Sequence, residues 1–129
     1  MQINLPEVHR ELTEAFERYE AALVSNQPQI LNELFWDSPH TIRYGNAENL
    51  YGHAEIAAYR AARAAQGGAP ARDTIRSVLT TYGRELGTTN IEYVMPNSKK
   101  KGRQSQTWMR TEQGWRIVAA HVSIIAAAD

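Results

Sequence analysis

RQSQTWMRTEQGWRIVAAHVSII, residues 103–125, is the stretch whose reading decides the fold. Residues 103–110 and 115–125 are rich in β-branched and aromatic side chains, and the polar TEQG between them closes on a glycine, so they read as two strands joined by a short turn. Working toward the N-terminus, PNSKKKG separates them from a third such run at 88–95 (TTNIEYVM), and GREL-G separates that from a fourth at 73–82 (DTIRSVLTTY). Four strands in succession with short polar connections predict an antiparallel meander.

The first half of the chain has a different period. Val8, Leu12, Ala15, Phe16, Tyr19, Ala22 and Leu23 recur at spacings of three and four, which makes one apolar helical stripe and turns Tyr19 inward. Asn4 followed by Glu7 reads as a capping box, with Pro6 in the first turn, where its missing N–H costs nothing. A second helix is expected with Asn26 as its cap and Ile30, Leu31, Leu34 and Phe35 as its buried side, ending at Asp37-Ser38-Pro39. HTIRY (40–44) is the first strand candidate, NAENLYG a loop, and His53 to about Ala65 a third helix that stops at Gly67-Gly68. Helices first and strands after predict a single α+β domain over residues 1–129, with three helices on one face of a curved antiparallel sheet. A sheet curled around helices leaves a concave interior, and inward polar residues then line a pocket.

Composition narrows the function. A chain of 129 residues with 43% hydrophobic and 22% charged residues is long enough for a real core. Its formal net charge of zero gives no electrostatic reason to expect nucleic acid or an anionic membrane as partner. There is no cysteine, which removes disulfides, thiolate metal sites and cysteine nucleophiles and agrees with a cytoplasmic location. No signal-peptide pattern is read at the N-terminus, and no apolar run approaches the ~20 residues of a membrane span. The histidines at 9, 40, 53 and 121 show no i, i+4 pairing, so no protein-bound metal is expected.

The candidate chemistry begins with Arg43, a permanent charge between Ile42 and Tyr44 in a short strand. It is either an edge arginine in solvent or paired with Glu55 or Asp37, or it is an anion clamp whose planar fork grips a carboxylate bidentately. Thr41, Arg43 and Gly45 share one strand face, and His40, Ile42 and Tyr44 the other. Tyr19 is either a core tyrosine with a satisfied hydroxyl or a phenol that donates a hydrogen bond or proton to a substrate, a transfer that a nearby cation would ease. His121 and Ser123 share a face with Ile117 and Ala119, and Gln104, Gln106 and Trp108 share a face of the preceding strand. Either set can be pocket wall or ordinary sheet surface. Arg60 and Arg63 read as surface or interface charges, with Arg60 able to reach a pocket mouth.

LFWDSPHTIRYG, NLYGHAEIAAYRAAR and GRQSQTWMRTEQGWRIVAAHVS together resemble the AtzH-like family, within the nuclear transport factor 2 (NTF2-like, or SnoaL-like) superfamily. The resemblance covers nearly the whole chain. It implies a cone-shaped α+β fold with a pocket between the sheet and the first helix. The superfamily hosts isomerases, dehydratases, hydrolases and plain association domains, so the fold alone assigns no activity. The narrower family includes HpxZ-type proteins associated with oxalurate catabolism, and its namesake is a decarboxylating amidohydrolase that converts 1,3-dicarboxyurea to allophanate. The resemblance thus implies a small ureido-carboxylic substrate of nitrogen catabolism, no cofactor, and a catalytic pair at Tyr19 and Arg43. Gln104, Gln106, His121 and Ser123, together with Trp36 of the first motif, are the expected substrate-binding residues. CO2 loss either directly or after hydrolysis fits this reading. The alternative is a non-catalytic accessory or dimerisation module for a partner amidase. The outward face of the sheet, with Ile75, Val78, Ile91, Val94 and Val118, is expected to support a homodimer or higher homo-oligomer.

Overall fold

Helical periodicity at the N-terminus becomes a buried stripe in the computed structural model, which describes residues 1–126. Helix α1 spans Pro6–Val24 and buries Val8, Leu12, Phe16, Tyr19, Ala22 and Leu23. Burial of each large side chain on this stripe contributes about 1.5–3 kcal/mol relative to exposure. Helix α2 follows at Pro28–Leu34, then strands β1 (Ile42–Tyr44) and β2 (Asn49–Tyr51), helix α3 (His53–Ala65), and strands β3 (Asp73–Tyr82), β4 (Leu86–Val94), β5 (Lys101–Thr111) and β6 (Gly114–Ile125). No helix among the described residues is long and apolar enough to cross a membrane.

Neither asparagine caps its helix. Asn4 stands at φ 57°, its amide N–H donates to the Thr81 carbonyl at 3.0 Å, and its side-chain Oδ1 accepts from the Thr81 N–H at 2.8 Å, so it ties the N-terminus to β3. Glu7 is likewise spent elsewhere: a hydrogen bond from Arg84 and that guanidinium's charge hold its carboxyl below the usual carboxylate range. Asn26, at φ 54°, donates to the carbonyl of Ala64 at 3.2 Å, pinning the end of α3 to the α1–α2 turn. Phe35 leaves α2 with extended backbone and bridges to Ile117 of β6.

The sheet order is β2-β1-β6-β5-β4-β3. Strands β3 to β6 form the antiparallel meander that the composition predicts. The sheet is mixed because β1 runs parallel to β6, pairing Arg43 with Ala120. NLY, read as loop, is instead strand β2, which pairs antiparallel with β1. Three residues are too few to show a period, which is why the sequence pattern hides it.

Two register shifts shape this sheet. One lies in β3 between Thr74 and Arg76. The other lies in β6: Trp108 pairs with Ile117 and Thr107 with Ala119, so Val118 is an extra residue. A bulge of this kind swaps the faces of everything beyond it. Ile117 is fully buried, and beyond the bulge it is Ala120, not His121, that is buried. The helices cover the inner face, where Leu12, Phe16, Leu34, Phe35, Ile56, Ile91, Trp108, Trp115 and Ile117 form one core cluster. Ile91 is therefore a core residue and is not part of the outward apolar face expected for an oligomer, whereas Ile75 and Val78 are exposed.

Candidate functional site

The core does not fill the whole space between helices and sheet. A cavity of about 260 Å³ remains at one end of the inner face. Helix α1 supplies Tyr19 and Leu23 to its wall, and the β1–β2 hairpin supplies Arg43 and residues 46–48. Helix α3 supplies Tyr59, Arg60 and Arg63, the 69–72 segment supplies Arg72, and the sheet supplies Tyr93, Gln104, Val122 and Ile124.

Arg43 is placed by β1, with both its face and its neighbours decided by pairing. It is 6% exposed and points to the helix side of the sheet. Its Nη1 donates to Glu48 Oε1 at 2.9 Å, so its acidic partner is neither Glu55 nor Asp37. Glu55 accepts instead from the Tyr51 N–H, and Asp37 lies 3.7 Å from His53. Gly45 makes the Glu48 contact feasible. A Cβ at residue 45 would stand 1.8 Å from Glu48 Oε1, so any larger residue there would push that carboxylate out of its present position.

Tyr19 is 2% exposed, with its ring edge-on to Phe35 at 6.1 Å between centroids. Its hydroxyl accepts a hydrogen bond from Arg60 Nη2 at 2.8 Å. A phenol oxygen that accepts in this way still has its own proton to donate. Arg60, expected as a surface or interface charge able to reach a pocket mouth, does line the cavity, but it is buried at 5% exposure, as is Ile56 one turn earlier. The four-residue spacing from Ile56 was the signal that could have placed it inside. Tyr59 lies beside both guanidiniums, with its ring centroid 4.8 Å from Arg43 Cζ and 5.7 Å from Arg60 Cζ.

The opposite wall is held by Arg72, which the sequence did not single out. It bonds both carboxylate oxygens of Glu20, at 2.8 and 2.9 Å, and reaches Gln104 Oε1 at 3.3 Å. Its guanidinium stacks 4.6 Å from the ring of Tyr93. Tyr93 can lie flat there because Gly102 sits beneath it; a Cβ at residue 102 would fall 2.2 Å from the ring. Gln104 is 3% exposed, and its Nε2 has no hydrogen-bond partner.

Tyr19, Arg43 and Gln104 thus line one cavity, while four other candidates do not. Gln106 is buried in the sheet's inner layer, where its Oε1 accepts from Thr89, whose hydroxyl oxygen accepts in turn from Trp108 Nε1. His121 and Ser123 face outward, because the bulge at Val118 reverses the alternation that grouped them with Ile117. His121 stacks edge-on against Tyr44 at 5.7 Å on that outer face. Trp36 donates its backbone N–H to the Ile117 carbonyl and borders a separate groove with Asn32, Asp37, His53 and Arg116.

Taken together, the cavity carries four arginines against the carboxylate of Glu48 in its wall and that of Glu20 behind Arg72. Such a site has the charge to suit small anions, and its wall carries the hydroxyl-bearing rings of Tyr19, Tyr59 and Tyr93, of which Tyr19 is the one bonded by a guanidinium.

The sequence matches the family model described as AtzH-like over residues 1–128. No curated protein matches the chain. A crystal structure of a protein of unknown function from the DUF3225 family of Pectobacterium atrosepticum shares 46% identity over 96% of this chain and 95% of that chain, with a TM-score of 0.90. A cystatin-like fold protein from Burkholderia xenovorans shares 40% identity over 99% of both chains, with a TM-score of 0.88. An NTF2-like superfamily protein from Salmonella enterica serovar Typhimurium shares 23% identity over 95% of this chain and 94% of that chain, with a TM-score of 0.75, which shows the fold alone. The fold is NTF2-like: three helices packed on a six-stranded mixed sheet.

Proposed function

The chain belongs to the AtzH-like family, and on that premise we propose that it is a hydrolase or decarboxylase of small ureido-carboxylic acids, with 1,3-dicarboxyurea as substrate and allophanate and CO2 as products. The observation that carries this reading is the convergence of Tyr19 and Arg43 on one arginine-rich cavity. Arg43 binds a substrate carboxylate through the N–H groups that Glu48 leaves free. Tyr19 directs its unspent proton to the nitrogen that carries the departing carboxyl group. That C–N bond breaks, its electron pair stays on nitrogen, the proton completes the new N–H, and the carboxyl leaves as CO2. Solvent then restores the phenol.

This chemistry asks little of the protein. Orientation and one delivered proton suffice, and positioned acid–base help contributes ~10²–10⁴-fold. Direct loss of CO2 is the simpler route here, because it needs no general base, and the carboxylate that lines the cavity among the described residues, Glu48, already accepts from Arg43 through Oε1.

A ligand panel tests the reading without turnover. Ureidoacetate and oxalurate, stable carboxylated ureas, are expected to raise the melting temperature in proportion to occupancy, as any ligand of the folded state does. Biuret, which is neutral and of similar size, is expected to leave it unchanged. Equal stabilisation by biuret would remove the carboxylate from the recognition and overturn the proposal.

A further inference from the structure

The charges around the cavity do not balance. Arg43 is matched by Glu48, and Arg72 by Glu20. Arg60 has no carboxylate partner among the described residues, although it is 5% exposed. Its one hydrogen bond goes to the Tyr19 hydroxyl, and its Nε has no partner. A buried guanidinium without a counterion is costly, and the Tyr59 ring 5.7 Å away compensates it only in part. Folding alone does not explain such a group, because an apolar side chain of the same volume would pack there without that penalty.

We infer that Arg60 is the positioning residue that makes Tyr19 a proton donor: it awaits the negative charge that appears on the phenolic oxygen as the proton leaves. The geometry is already in place at 2.8 Å. When Tyr19 transfers its proton to the substrate nitrogen, the phenolate forms against a cation that until then had no partner. The buried charge is thereby neutralised in the transition state and not in the resting protein, which is the condition for an interaction to speed the chemical step. The hydrogen bond from Arg60 also occupies the oxygen's lone pair, so the O–H is turned away from Arg60. This inference rests on the decarboxylation reading above and deepens it.

The test is a double-variant cycle on CO2 release, with Arg60→Met and Tyr19→Phe alone and together, and Arg60→Lys as a charge-retaining control. Arg60→Met is expected to lower kcat by about 10²-fold, as loss of one preorganised donor does, and to leave KM nearly unchanged. In the Tyr19→Phe background the same change is expected to have almost no effect on kcat, because the oxygen through which Arg60 acts is gone. Arg60→Lys is expected to recover part of the loss. Circular dichroism melting confirms that each variant is folded, and if Arg60→Met fails to fold, the Lys variant is cycled against Tyr19→Phe in its place. Additive losses in kcat would overturn the inference, as would a rise in KM in both backgrounds, which would make Arg60 a second anchor for substrate. Absence of turnover by the unaltered protein would overturn the decarboxylation reading and this inference with it, whereas turnover with additive losses would overturn this inference alone.

Discussion

Arg43→Ala is expected to lower kcat/KM by roughly 30- to 5,000-fold, which corresponds to about 2–5 kcal/mol, the cost of truncating one partner of a buried charge pair. Most of that loss should appear in KM, because in the proposed reaction Arg43 holds a carboxylate that is charged before and during the chemical step. Arg43→Lys should recover little of it, since an ammonium cannot reproduce the planar fork. The stability effect is smaller. Truncation strands the Glu48 carboxylate, but that side chain is 25% exposed and water reaches it. Substrate titrations on variants of matched melting temperature separate the two effects. A kcat/KM within a few-fold of the unaltered protein would remove Arg43 from the site.

Tyr19→Phe is expected to do the opposite in kinetic terms. The ring stays packed edge-on against Phe35, so the cavity keeps its shape. What disappears is the proton and the acceptor for Arg60. Turnover is expected to fall ~10²–10⁴-fold in kcat, with KM changed little. The variant should also lose about 1–3 kcal/mol of stability, because Arg60 Nη2 is left buried without a partner. Single-turnover measurements at saturating substrate read the first effect and urea denaturation the second. A variant that turns over like the parent would show that the proton comes from elsewhere.

Long, periodic elements were legible in the sequence. The α1 stripe placed Tyr19 inward, and α3 begins and ends at His53 and Ala65, as its glycine stop predicts. Strand β3 likewise occupies residues 73–82. What sequence pattern could not show depends on single residues and on pairing. The face of Arg43 is set by β1 lying parallel to β6, and three residues of strand contain no information about that. The extra residue Val118 turns His121 and Ser123 away from the cavity, and a bulge leaves no mark on composition. Glu48 reaches Arg43 from a hairpin with no period, through space that Gly45 leaves open. Arg60 lies between these cases. Its spacing from Ile56 pointed inward, but its charge argued for the surface, and only the hydrogen bond to Tyr19 decides between them.

The most direct measurement is CO2 release from 1,3-dicarboxyurea generated in situ by an amidase, followed with and without this protein. The account predicts faster release of CO2 and matching accumulation of allophanate when the protein is present, and no acceleration by the Tyr19→Phe, Arg43→Ala double variant. An unaltered rate of CO2 release with the folded protein present would contradict it, and would turn the arginine-rich cavity into a binding site without turnover.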